Sequence, residues 1–150
     1  MPQSLASLHL HIVFSTKNRE PWLTDEYIER LYEYIGGTLR KSKCALIAAG
    51  GIPDHVHLLV SMSRELSVAA VVQLVKSNSS RWIHDSFAEL AAFNWQSGYG
   101  AFAVSYSNIP AVQTYLANQK QHHAKKSFQT EFRQLLRRHE IEWDEQYVWD

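Results

Sequence analysis

A chain of 150 residues, 45% of them hydrophobic and 12% aromatic, can bury a proper core and is expected to form one domain over residues 1–150. Its 15 Lys and Arg balance 15 Asp and Glu, so no overall basic excess advertises a phosphate-rich partner, and its one cysteine, Cys44, excludes a disulfide framework and a thiolate metal centre. Apolar runs such as Val68 to Val75 are too short to cross a bilayer, and the opening Met1-Pro2-Gln3-Ser4 lacks the regions of a signal peptide, which predicts a cytoplasmic protein.

From Leu8 the chain alternates, with Leu8, Leu10, Ile12 and Phe14 facing one way and His9, His11 and Val13 the other, the period of a half-buried strand. Thr24 or Asp25 can cap a helix whose apolar stripe runs Tyr27/Ile28, Leu31, Tyr34/Ile35 and Leu39. Cys44 to Ala49 reads as a short buried strand with Cys44 as a small core residue, Gly50 to Asp54 as a turn, and His55 to Met62 as a third strand paired with it in a hairpin. Ser67 can cap a second helix carrying Val68, Val71/Val72, Val75, Trp82/Ile83 and Phe87, ending before Asn94. Trp95 to Gly100 is loop chemistry, and Phe102, Val104 and Tyr106 mark a fourth strand. Asn108 and Pro110 open a third helix through about His123, and Ser127 to about Arg138 forms a basic fourth helix followed by the acidic Glu140, Glu142, Asp144, Glu145 and Asp150.

That order fits an α+β fold, a ferredoxin-like sandwich of four antiparallel strands with two crossover helices on one face, plus the two added helices. The first and third strands are then central neighbours. Their apolar sides, Leu8 included, should pack under the crossover helices, and His9, His11, His55 and His57 should share an opposite face left partly open.

Histidines two apart on a strand project from one face and can share a cation, which makes His55-Val56-His57 a candidate ligand pair. His9-Leu10-His11 has the same geometry, and periodicity does not decide between them. Gln119 breaks the apolar stripe of the third helix one turn after Tyr115, and its side-chain oxygen can complete a shell begun by two imidazoles.

Asp54-His55-Val56-His57-Leu58-Leu59-Val60 after a Gly-Gly-Ile-Pro turn, with Tyr115-Leu116-Ala117-Asn118-Gln119 downstream, closely resembles the HUH single-tyrosine transposases of the insertion-sequence 200/605 family. The likeness extends to His11 through Arg19, Trp95 through Phe102 and Gln121 through Asp150, nearly the whole chain. The resemblance implies that His55, His57 and Gln119 hold a divalent metal, Mg²⁺ ahead of Mn²⁺, and that Tyr115 is the nucleophile forming a 5′-phosphotyrosine link to single-stranded DNA. It also implies hairpin-ended DNA as partner and a homodimer in which the tyrosine helix of one subunit can complete the other's site.

Lys17, Arg19, Lys76, Arg81, Lys120, Lys125 and Lys126 are candidate phosphate contacts, and Trp22, Trp95 or Tyr99 could stack on unpaired bases, although burial more often explains such aromatics. His122 and His123 fall where a helix dipole favours them. Two rival readings are a noncatalytic module that binds single-stranded nucleic acid on its sheet face and a phosphodiesterase in which water attacks.

Overall fold

The structure is a computed structural model and describes residues 2–150; Met1, part of the opening segment read above, lies outside them. Four strands, β1 (His9–Ser15), β2 (Ala45–Ile52), β3 (His55–Ser61) and β4 (Gly100–Val104), form one antiparallel sheet in the order β2-β3-β1-β4. With α1 (Asp25–Lys41) joining β1 to β2 and α2 (Val68–Ser86) joining β3 to β4, this is the ferredoxin-like order expected from the alternation of elements. No helix among the described residues is long and apolar enough to cross a membrane.

Period-two alternation along the two central strands sorts their side chains. Ile12, Phe14, Val56, Leu58 and Val60 turn to α1 and α2 and pack with Leu31, Ile35, Val72 and Val75, all nearly inaccessible. Burial of each such side chain contributes roughly 1.5–3 kcal/mol, which fixes the strands' register. Cys44 joins this core as expected, whereas Leu8 precedes the strand and is 47% exposed. Trp95 also belongs to the core, edge-on to Phe14 and Phe93 at 4.8 Å and donating its indole N–H to Ser79 Oγ at 3.0 Å, so it is not available to stack on a base.

The opposite face is covered rather than open. Three helices lie over it: α3 (Ile109–Ala117), α4 (Gln119–His123) and α5 (Phe128–Arg138). The stripe Phe128, Phe132, Leu135, Leu136 of α5 packs on Val13 and Phe102, forming a second core that needed a helix to close it. Gly100 permits that approach, because a Cβ there would sit 2.6 Å from the Phe132 ring. Ser127 caps α5 by accepting from Thr130 N at 3.2 Å, and Ser67 caps α2 by accepting from Ala70 N at 3.1 Å.

Two boundaries differ from the sequence expectations in ways that matter for the site. Gly50 and Gly51 lie inside β2 rather than in the turn, and a Cβ on Gly50 would collide with the Leu116 carbonyl oxygen. The absent side chain is what allows the backbone of α3 to rest on the sheet. The third helix is also broken at Asn118, with φ −99° and ψ 17°, whose N–H reaches back to Thr114 and Tyr115 carbonyls while α4 restarts at Gln119. Asn competes with the backbone for hydrogen bonds and is a poor interior helix residue.

Candidate active site

His55 and His57 project from β3 under the α3–α5 cover, and both are fully buried. Each is held by its Nδ1 side. His55 Nδ1 donates to Asp54 Oδ1 at 2.7 Å, and His57 Nδ1 is 2.7 Å from His11 Nε2 across the β1–β3 pair. Both Nε2 atoms therefore point into a common space, the orientation that ligand imidazoles need. His11 is thus a supporting residue behind His57, while His9 lies farther along β1 with its ring 6.1 Å from Tyr106.

At the centre of that space is Glu131, 1% exposed, brought in by α5. Its Oε1 accepts from His57 Nε2 at 2.9 Å and His123 Nε2 at 3.0 Å, and lies 3.3 Å from His55 Nε2. Its Oε2 accepts from the Tyr115 hydroxyl and from Gln119 Nε2 at 3.1 Å. Gln119 Oε1 in turn lies 3.3 Å from His55 Nε2. The four residues named from the sequence, His55, His57, Tyr115 and Gln119, are therefore brought together within one chain, and Glu131, His123, His11 and Asp54 join them.

Electrostatics follow from this enclosure. Burial would raise the Glu131 carboxyl, but hydrogen bonds from His123, His55 and His57 outweigh it and hold the group well below the usual carboxylate range. Burial pushes the His57 imidazole down to about 4 and His11, aided by His57, to about 3, so both are neutral near pH 7. Burial acts the same way on His55, yet Asp54 and Glu131 together raise it. Burial and then Glu131 push the Tyr115 hydroxyl up. The donor set fits a divalent cation: the ligand atoms of His55, His57, His123 and Glu131 all lie within 4.8 Å of one another. His122 Nε2 faces them 3.3 Å from Glu131 Oε2, buried and without a hydrogen bond.

The family of IS200-like transposases matches residues 4–119, about three quarters of the chain, including the His-Val-His strand, Tyr115 and Gln119. The chain belongs to that family. The ISDra2 transposase TnpA of Deinococcus radiodurans is 24% identical over 117 residues, 75% of this chain and 84% of that protein. A crystal structure of a protein assigned as a transposase from Deinococcus radiodurans R1 superposes with a TM-score of 0.65 at 25% identity, over 79% of this chain and 98% of the other. A REP-associated tyrosine transposase, solved bound to a REP hairpin, shares the fold at 14% identity with a TM-score of 0.60, over 82% of this chain and 72% of that one.

In this DNA transposase the matched residues end at Gln119, so His123 and Glu131 come from the segment beyond them. Glu131 is the one acid between Ser127 and Arg138, and the sequence carries a signal for it: it occupies the i+3 position of the stripe Phe128, Phe132, Leu135, a place a charge enters only with partners. A cleft of about 400 Å³ opens beside Tyr115, lined among others by His11, Phe102, Asn108, Arg138 and His139. Arg138 is the exposed cation of that cleft. The seven candidate phosphate contacts lie elsewhere. Lys76 and Arg81 are on α2, across the sheet from Tyr115, and Lys76 Nζ donates to the carbonyls of Gln96, Ser97 and Gly98 at 2.8, 3.2 and 2.6 Å. Lys120 pairs with Asp25 at 2.7 Å, Lys126 donates to Gln134 at 3.0 Å, Arg19 lies over the Trp149 ring at 5.9 Å, and Lys17 and Lys125 are exposed.

Proposed function

We propose that this transposase cleaves and rejoins single-stranded DNA through a 5′-phosphotyrosine on Tyr115, with His55, His57 and Gln119 holding a divalent metal, all within one domain. The observation that carries the reading is the hydrogen bond from the Tyr115 hydroxyl into the buried cluster around His55 and His57, with the cleft open on the other side of the ring. The Gln119 oxygen and a phosphate oxygen of the DNA are donors that suit Mg²⁺ or Mn²⁺. When bound, such a cation supplies neutralisation of a nonbridging phosphate oxygen and alignment for in-line displacement.

The chain's own residues account for the remaining steps. Tyr115 Oη bonds to phosphorus while the bond from phosphorus to the 3′ oxygen breaks, and that oxygen leaves as a 3′-hydroxyl after taking a proton. The Tyr115 hydroxyl donates to Glu131, which fixes its orientation; because that carboxylate is held well below the usual range it is a weak base, and the net destination of the proton is the departing 3′ oxygen, reached through solvent. The linkage stays a phosphodiester, so a different 3′-hydroxyl can reverse the step and join new ends without an external energy source. DNA with hairpin ends is the partner by analogy with the REP-bound relative. A homodimer, implied by the resemblance, would bring two sites to two ends. Tyr115 lies 5.8 Å, ring to ring, from His57 of its own chain.

The test uses labelled single-stranded oligonucleotides copying the DNA that flanks the gene, incubated with Mg²⁺ or Mn²⁺ and run on denaturing gels. Wild type should trap DNA covalently, and Tyr115→Phe should bind it with similar affinity and trap none. Cleavage without an adduct would transfer the reaction to water and refute the nucleophile.

A further inference from the structure

A buried carboxylate is costly unless something positive answers it. Glu131 is buried on all sides, and among the described residues its ion-pair partners are imidazoles only: His55, His57, His122 and His123, with no lysine or arginine. Gln119, Tyr115 and those rings satisfy its hydrogen bonds but bring no permanent positive charge. A shell of His55, His57 and Gln119 alone has the complementary deficit, because it is neutral and would draw a dication out of water with no opposite charge.

We propose that Glu131 is the anionic ligand of the metal and also the residue that orients the nucleophile, one carboxylate oxygen serving each task. This rests on the metal-site reading above and deepens it. Oε1 is the oxygen facing the imidazoles, at 2.9, 3.0 and 3.3 Å from His57, His123 and His55 Nε2. With ligand bonds of about 2.1 Å, donors on opposite sides of one ion stand about 4.2 Å apart. The observed limit of 4.8 Å for His55, His57, His123 and Glu131 then needs a contraction of about 0.6 Å in its widest pair. Oε2 faces away from that set and receives Tyr115 and Gln119 Nε2. Gln119 braces Glu131 through Nε2 while its Oε1 lies on the imidazole side, 3.3 Å from His55 Nε2, where it can still join the ion, and ion and tyrosine are held in register by a single rigid group on α5. Because His123 and Glu131 follow the residues matched to the family, this arrangement is carried by the chain's own C-terminal segment.

The experiment is Mn²⁺ titration by calorimetry of the full-length protein, wild type and variants, without DNA. Glu131→Gln keeps the shape and loses the charge, and it should weaken Mn²⁺ by about 100-fold or more; Gln119→Ala, which removes a neutral oxygen donor and a brace of Glu131, should cost about 10-fold or more. The proposal falls if Glu131→Gln binds Mn²⁺ like wild type while His55→Ala does not bind it. If His55→Ala also binds normally, the metal-site reading falls with it. Hydrogen exchange on wild type covers the case in which Glu131→Gln does not fold. Mn²⁺ should slow exchange of amides in 128–138 along with those in 55–61, and slowing confined to 55–61 would overturn the proposal.

Discussion

Gly50→Ala tests how closely the sheet and the tyrosine helix must approach. The new Cβ would meet the Leu116 carbonyl carbon at 2.7 Å and Leu116 Cα at 3.1 Å, where ordinary contact begins at 3.4 Å, so α3 must retreat by about 1 Å. The neighbour is backbone, with no rotamer to swing aside. Overpacking of this kind costs roughly 1–3 kcal/mol, which for a chain of this size lowers Tm by about 3–9 °C. The core between the sheet and α1 and α2 is untouched, so the protein should still fold. Leu116 adjoins Tyr115, and a displacement of about 1 Å in a reacting group can reduce rate about 100-fold. Thermal melts and single-turnover adduct formation should therefore move together, with Mn²⁺ affinity much less affected. An adduct rate within about threefold of wild type, in a protein that has lost stability, would refute the claim that the Gly50–Leu116 contact positions the nucleophile.

Three further outcomes follow from particular contacts. Lys76→Met leaves the carbonyls of Gln96, Ser97 and Gly98 without their donor and should cost about 1–3 kcal/mol in chemical denaturation while changing DNA affinity little. Arg138→Ala should weaken single-stranded DNA binding and flatten its salt dependence, measured by fluorescence anisotropy across ionic strengths, because Arg138 lines the cleft at Tyr115. The Arg133 guanidinium, joined by the Trp143 indole, holds the Glu145 carboxyl at about 2, below its ordinary value of 4.5. A depressed carboxyl stabilises the fold above its unfolded pKa and loses that contribution as pH falls from about 4.5 to about 2. The Glu145 titration followed by NMR should move back toward 4.5 in Arg133→Met.

The local parts of this site were legible in one dimension. A strand's period of two puts His55 and His57 on one face whatever the rest of the chain does, and alternation in β1 and β3 separates that face from the core side. The motif residues Tyr115 and Gln119 likewise stand only four apart in the sequence, although the break at Asn118 shows that their common target, not an unbroken helix, aligns them. The pair His9-Leu10-His11 has the same period and cannot be told from His55-Val56-His57 by sequence, since the difference lies in what covers each strand end. Only tertiary packing decided that His11 supports His57, that α5 closes the second face through Phe132 on Gly100 and Phe102, and that Glu131 arrives among residues up to 76 positions distant, as the separation of His55 from Glu131 shows. Periodicity reports which side of an element is buried, whereas the partner on that side is selected by long-range packing, and a carboxylate at the meeting point of β3, α3, α4 and α5 has no counterpart in any single window of the sequence.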